Sequence, residues 1–261
     1  MSVRSLRIPR RSMRLIERNG MVYRRTWIVI VSGFFEPLLY LLGIGYGIGS
    51  LVRNVPLGTG HAVSYVVFVA PALMATSAMN GAIYEVTFNL FHKLRYAKTF
   101  EAILVTPVGV EDVALGEVLW AWVRGTIYST GFLLVMFGLG LVPSVWGLLA
   151  LPAAMLLGFS FAAIGAALTT FIRQWQDFDF VQLGLQPMFL FSATFFPITV
   201  YPPAIRWFVE ITPLYRGIDL IRGLTTGDIH AGMLVDVAYL SVLALVGVAL
   251  TALRLRSRLL N

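Results

Sequence analysis

Apolar runs long enough to cross a bilayer recur along the whole chain, and a soluble globular fold has no place for them. A helix needs roughly 20 apolar residues to span a hydrocarbon core of about 30 Å. Such runs cover about 27–51, 63–84, 119–141, 146–172, 178–196 and 233–253. The pattern predicts an all-α polytopic membrane protein with six transmembrane helices, because helices satisfy every backbone group internally. The fifth run is the weakest, since Gln182, Gln186 and Pro187 interrupt it. Only 13% of the 261 residues are charged, about half the share of an ordinary soluble domain. With the runs set aside, no stretch remains for a separate soluble domain of typical size.

The charges are one-sided. The first 26 residues hold eight arginines and one glutamate, without the short basic region, apolar core and small-residue cleavage site of a secretory signal. This arm, 1–26, reads as a cytosolic basic segment held against anionic headgroups, followed by one membrane domain over 27–261. With the amino terminus inside, Lys93, Arg95, Lys98, Arg173, Arg254, Arg256 and Arg258 join the arm on the cytosolic side. The other side keeps Arg53, Arg206, Arg216 and Arg222. That asymmetry places both termini in the cytosol, and it explains the net charge of +7 without nucleic acid as a partner.

Two segments depart from a simple series of hairpins. YAKTFEAILVTPVGVED, 96–112, lies on the cytosolic side inside a polar region of about 88–117. As a helix it gathers Phe100, Ile103, Leu104 and Ala97 on one stripe, with Lys98, Thr99 and Glu101 elsewhere. Pro107 ends it by its missing N–H and ring clash. An interfacial helix on lipid and a docking helix for a soluble partner are both open at this point. The second segment, about 196–232, is expected on the outer side. Pro197, Pro202, Pro203 and Pro213 divide it into two short helices, AIRWFVEI and YRGIDLIRGL. Asp219 and Arg222 stand three apart on one face, where they could pair weakly. A helical hairpin dipping into the outer leaflet fits, with Pro197 and Pro202 setting the bend, provided protein or a wet cavity covers the freed backbone.

Other features are chemically quieter. Glycines at 43, 45, 47 and 49 in GIGYGIG sit within a span, so they read as GxxxG pairs for close helix approach and not as a nucleotide fingerprint. Glu36 lies inside the first run and Arg124 inside the third. Intramembrane charges face a cavity or a partner, and Arg124 is one candidate partner for Glu36. A structural ion pair, a headgroup contact and a transport role all remain open for them. Trp27, Trp120, Trp146 and Trp207 read as interfacial anchors. His61, His92 and His230 are dispersed over different loops. With no cysteine, no HExxH and no GxSxG, no metal or hydrolytic site is expected.

FEPLLYLLGIGYGIG at 34–48, FVAPALMATSAMNGAIYE at 68–85 and KTFEAILVTPVGVEDVALGEV at 98–118 together resemble a known family. LFSATFFPITVYPPAI at 190–205 and ITPLYRGIDLIRGL at 211–224 complete the likeness. The family is the membrane subunits of type-2 ATP-binding-cassette (ABC) exporters, the group of nodulation lipo-oligosaccharide and daunorubicin-type drug-export permeases. One departure is Ser192-Ala193, where many relatives carry Ser-Gly. The resemblance implies an amphipathic amino-terminal helix, six spans, a coupling helix after the second span and an outer re-entrant hairpin before the sixth. It also implies a partner ABC ATPase, which binds the ATP and magnesium, and a second permease copy or close paralogue. Lys98, Thr99, Glu101, Leu104, Thr106 and Pro107 would then meet the ATPase. The function implied is non-catalytic: export of an amphiphilic drug, lipid or glycolipid through the cytoplasmic membrane. The chain has no GxxxxGK[ST] of its own. The rival reading, an ion- or proton-coupled carrier working through Glu36 and Arg124, lacks an internal repeat and further buried ionisable groups.

Overall fold

The structure, a computed structural model, describes residues 8–25, 35–52, 54–58, 60, 62–97, 99–106 and 108–259. Helix α1 is Ile8–Arg25. Helix α2 covers 35–49 and includes a π-helical stretch, Leu41–Tyr46. Two short strands follow, β1 (Asn54–Pro56) and β2 (Ala62–Ser64), antiparallel with Val55 opposite Val63. Helix α3 runs from Tyr65 to Arg95 through a π-helical turn at Glu85–Asn89. The short α4 (Thr99–Leu104) and the long α5 (Val110–Gly138) come next. A 3-10 turn leads into α6 (Ala150–Thr169), and α7 is Phe178–Phe191. Helices α8 (Pro203–Ile211) and α9 (Pro213–Thr226) precede α10 (Gly232–Leu259).

Among the described residues, four helical stretches are long and apolar enough to cross a membrane: Tyr65–Arg95, Val110–Gly138, Val145–Thr169 and Gly232–Arg258. The chain is a mostly helical membrane protein. Part of the first expected span lies outside the described residues. The fifth corresponds to α7, whose 14 residues fall short of the roughly 20 that cross a core unaided.

Helix α3 is the centre. It packs against α5 and α6, α10 closes on α6 and α5, and α9 covers one end of α3. In the most apolar window of α3, 94% is buried, against 28% in α10. The sequence explains the difference. The inner helix is lined with Ala72, Ala75, Ala78, Gly81 and Ala82, all buried, whereas α10 turns Leu234, Val235, Val242, Leu245 and Leu253 outward. In lipid there is no hydrophobic drive between helices, so close backbone approach supplies the attraction. The α3–α5 crossing shows it: a Cβ on Gly125 would stand 2.7 Å from the Ala78 carbonyl oxygen, and one on Gly81 would stand 2.9 Å from Gly125 Cα.

Several expectations change in detail. The glycine run of α2 is divided in use. Gly45 and Gly49 face Val66 of α3, with a Cβ on Gly49 at 3.3 Å from it, while Gly43 and Gly47 have nothing within 4 Å. Helix α5 begins at Val110 instead of near Leu119. Asp112 Oδ2 accepts from Gly109 N at 2.9 Å, and Glu111 with Asp112 suits the positive end of the helix dipole. Helix α3 likewise continues past Tyr84; its 31 residues make about 46 Å at ~1.5 Å per residue, longer than the core it crosses. Trp120 is buried, not an interfacial anchor, because Tyr23 packs on it, tilted, at 5.3 Å between ring centres and Gly20 admits its edge.

The segment 196–232 does form two short helices. Pro203 and Pro213 stand in their first turns, where a missing N–H costs nothing. Pro202 precedes α8 in an extended conformation, and Pro197 does the same before the turn Ile198–Val200. Arg206 secures that turn, donating to the Tyr201 and Thr199 carbonyls at 2.7 and 2.6 Å. Helix α9 packs chiefly on α3, α6 and α10. The expected packing of this segment on the fifth and sixth spans therefore shifts toward the bundle centre. Helix α8 leaves Ile205, Trp207, Phe208 and Ile211 exposed.

Replacing Gly125 by leucine is expected to cost at least ~1–3 kcal/mol, the range for overpacking, and to lower the thermal unfolding midpoint in detergent. Gly43→Ala/Gly47→Ala should leave the isolated protomer's midpoint unchanged.

Candidate functional site

At the end of the bundle that carries α4, α1 lies along α5. Leu15 seats on Gly116, where a Cβ would come within 2.7 Å of it, and the Ser12 hydroxyl donates to the Asp112 carbonyl at 3.2 Å. This amphipathic fit delivers Tyr23 and Asn19 to two buried ion pairs. In the first, Arg124 Nη1 donates to Glu85 Oε2 at 2.7 Å, and the same oxygen accepts from Asn89 Nδ2 at 2.7 Å and from the Tyr23 hydroxyl. Arg124 also donates to the Tyr128 hydroxyl through Nε at 3.2 Å and Nη2 at 3.1 Å. In the second, Lys93 Nζ reaches Glu117 Oε2 at 2.6 Å and Asn19 Oδ1 at 3.3 Å. The π-helical turn Glu85–Asn89 lies at this cluster, as such turns often do at working sites.

Arg124 is thus paired with Glu85, not with Glu36. The reason is register: Glu85 and Arg124 flank the Gly81–Gly125 contact of α3 and α5, whereas Glu36 sits on α2. Glu36 instead joins Tyr40, Thr76, Asn80, Gln182 and Gln186 around a cleft between α2, α3 and α7, with a cavity volume of ≈ 20 Å³, room for about one water. Glu36 and Gln186 are exposed at its mouth.

At the same end of the bundle, α4 stands between the end of α3 and the start of α5. Phe100 is buried and Ile103 packs beside it on the main core, so the apolar stripe anchors α4 to the protein. Thr99 is half-buried and Thr106 exposed. The Thr106 hydroxyl donates to the Ile103 carbonyl at 2.6 Å and closes the last turn. Lys98 and Pro107, with the side chains of Glu101 and Leu104, lie outside the described residues.

The opposite end of α3 meets α9. Arg222 is buried; its Nε donates to the Phe68 carbonyl at 3.1 Å and Nη2 to the Ala193 carbonyl at 2.8 Å, with the guanidinium 3.9 Å over the Phe68 ring. It does not form the expected pair with Asp219, because those carbonyls take its donors. Asp219 Oδ2 instead meets His230 Nε2 at 3.0 Å, and Arg216 Nη1 donates to Asp236 Oδ1 at 3.1 Å. Ala193 has φ 55, the left-handed region, so the Ser-Ala departure falls where glycine is favoured. Burial disfavours the charged His230 ring, but the Asp228 carbonyl and Asp219 outweigh it and raise its pKa.

The model of the ABC-2 type transporter family matches residues 12–225, which takes in most of α1, both ion pairs, α4 and nearly all of α9. The chain belongs to the ABC-2 type transporter family. It is 33% identical to "Nodulation protein J" of Rhizobium meliloti (strain 1021), over 93% of this chain and 92% of that relative. It is 31% identical to the protein of the same name from Rhizobium leguminosarum bv. viciae, over 94% and 93%. The "Inner membrane transport permease YadH" of Escherichia coli (strain K12) is 25% identical over 77% of each chain. As an ABC-2 chain it is a membrane permease component, a family generally non-catalytic.

Sequence reasoning passed over Glu85, Tyr23, Asn89, Lys93, Glu117, Arg216 and Asp236. One signal was available: Glu85 closes the second apolar run and Arg124 interrupts the third, so each required a partner of opposite sign. Glu85→Ala or Arg124→Ala alone should lower stability by about 3–5 kcal/mol, the cost of stranding a buried charge. Glu85→Met/Arg124→Met should be much milder, and a thermal-unfolding cycle in detergent reads the difference. Ala193→Gly should raise stability by up to about 1 kcal/mol, since it removes left-handed strain of ~1–2 kcal/mol at some cost in chain entropy.

Proposed function

We propose that this chain is the membrane-spanning permease subunit of an ATP-driven ABC exporter of the cytoplasmic membrane, with six spans and both termini in the cytosol. A separate ABC ATPase binds ATP and magnesium and docks on the segment around α4. The observation that carries this reading is α4 itself. In a chain of the ABC-2 family, a six-residue helix stands directly between the ends of two membrane-length helices, anchored by Phe100 on its inner side. Lys98, Thr99, Glu101, Leu104, Thr106 and Pro107 make the docking surface. ATP-driven closure of the ATPases pushes this surface and shifts the helices between two packings.

The cargo is an amphiphile: a drug, lipid or glycolipid. The cleft beside Glu36, at ≈ 20 Å³, holds no more than a water, so a cargo of that size does not pass through it within one chain. Exposed Glu36 and Gln186 on α2 and α7 are costly against lipid. That cost supports a second permease copy, or a close paralogue, facing them across a polar-and-apolar path. The exposed aromatic face of α8 supports a re-entrant hairpin at outer-leaflet depth, bent at Pro197 and Pro202, gating the exit.

Glu101→Arg and Leu104→Asp are expected to abolish export and co-purification with the partner ABC ATPase, while membrane insertion stays normal. Retained export together with retained co-purification in both variants would overturn the assignment.

A further inference from the structure

The corner between α9 and α10 brings together three groups that the chain spaces widely. Asp219 comes from the middle of α9. Gly227, in the left-handed conformation at φ 84, ends that helix and turns the chain, which carries His230 back over Asp219. Asp236 comes from the first turns of α10. One ligand atom from each of Asp219, His230 and Asp236 lies within 4.8 Å of the other two.

The hydrogen bonds here bring acceptor atoms face to face. His230 Nδ1 lies 3.1 Å from the Asp228 carbonyl oxygen, which can only accept, so Nδ1 carries the ring's proton. In the neutral ring Nε2 then presents a lone pair, and what it faces at 3.0 Å is a carboxylate oxygen of Asp219. Two lone pairs at that distance repel, so the contact calls for a positive centre between them, either a proton on Nε2 or a bound cation. The second observation is independent. The Asp236 side chain is 1% exposed; Oδ1 takes the Arg216 guanidinium, and Oδ2 is buried with no donor against it among the described residues, the neighbouring group being the Asp219 carboxylate. A buried carboxylate oxygen left bare is expensive.

We propose that Asp219, His230 and Asp236 form a binding site for one divalent cation of the zinc type, tying α9 to the start of α10. The donor set decides the class. One imidazole nitrogen and two carboxylate oxygens suit borderline metals such as zinc more than magnesium or calcium. Tetrahedral zinc at ~2.0–2.2 Å from its ligands sets them about 3.4 Å apart, between the 3.0 Å of the His230–Asp219 pair and the 4.8 Å bound on the whole set. The surrounding contacts have the form of an outer shell. The Asp228 carbonyl fixes the histidine tautomer, and Arg216 orients Asp236 through its other oxygen. Two carboxylates and one arginine leave the neutral-histidine site with a net negative charge to receive the ion. The site does not depend on which molecule is exported.

The test is zinc titration of the full-length, chelator-treated protein in detergent, followed by calorimetry. The expected result is saturable uptake of about one zinc per chain, unaffected by millimolar magnesium. It should be weakened at least tenfold by Asp219→Asn and by His230→Ala, and unchanged by His61→Ala/His92→Ala. Zinc should also raise the unfolding midpoint of the unaltered chain and of His61→Ala/His92→Ala but not of the two site variants. Both site variants lie at the surface of the corner, and an unfolding profile without zinc that matches the unaltered chain establishes that they fold. Absent saturable binding, or affinity that survives both site variants, overturns the proposal. An imidazolium proton on Nε2 at neutral pH with no zinc uptake overturns it too and leaves a histidine–carboxylate ion pair.

Discussion

Arg124 and Glu85 meet inside the bundle, and much of the surrounding architecture follows from satisfying that pair. A charge in hydrocarbon needs a partner and its remaining donors need acceptors. Arg124 gets Glu85, Tyr128 and, across from α1, the Tyr23 hydroxyl at 3.4 Å. Meeting those demands requires α3 and α5 to approach closely, which Gly81 and Gly125 allow, and requires α1 to lie on α5, which Gly116 allows. The basic amino-terminal helix is therefore more than a lipid-surface arm. Its inner face carries Leu15, Asn19 and Tyr23 into the protein, while Met13, Met21 and the Arg14–Glu17 pair stay outside.

Much of the helical layout was legible in the sequence, because uniform apolarity over 20 or more residues suits a membrane-crossing helix and little else. The fourth run, about 146–172, appears as Val145–Thr169, and the sixth, about 233–253, as Gly232–Arg258. AIRWFVEI and YRGIDLIRGL fall within α8 and α9, since proline marks a helix start as surely as it breaks one. What hydropathy cannot see is where a helix continues beyond the lipid. By hydropathy Glu111, Asp112 and Glu117 stand outside membrane structure, yet Asp112 caps α5 and Lys93 neutralises Glu117, so the helix runs on. Partner choice was the least legible. Glu36, Arg124, Asp179 and Asp236 were the four charges inside runs, but pairing depends on helix rotation, which one sequence does not give. Asp219 and Arg222 had the right spacing and the wrong competitors: backbone carbonyls at Phe68 and Ala193 hold the arginine better than an exposed carboxylate would.

The two ends of α3 are thus built differently. Toward α4 stand two buried ion pairs linking α1, α3 and α5; toward α9 stand Arg222 and the Asp219–His230–Asp236 corner. Between them the contacts are backbone-tight, not only at Gly81 and Gly125 but also where a Cβ on Gly247 of α10 would come within 2.7 Å of the Ala163 backbone of α6. Helices α3, α5, α6 and α10 therefore behave as one block, because close-packed small-residue interfaces have no slack to slide. Helix α7 is held by side chains instead: Phe189 meets Tyr40 at 5.5 Å and Phe195 at 5.3 Å between ring centres. Aromatic contacts of that kind can change rotamer and re-form. A push delivered through α4, as proposed above, would meet a stiff block on one side and α2 with α7 on the other, and the polar cleft of Glu36, Asn80 and Gln182 lies along that softer boundary. Motion between two packings is confined to where the packing allows it, and here that is the same place where the chain exposes polar groups it cannot cover alone.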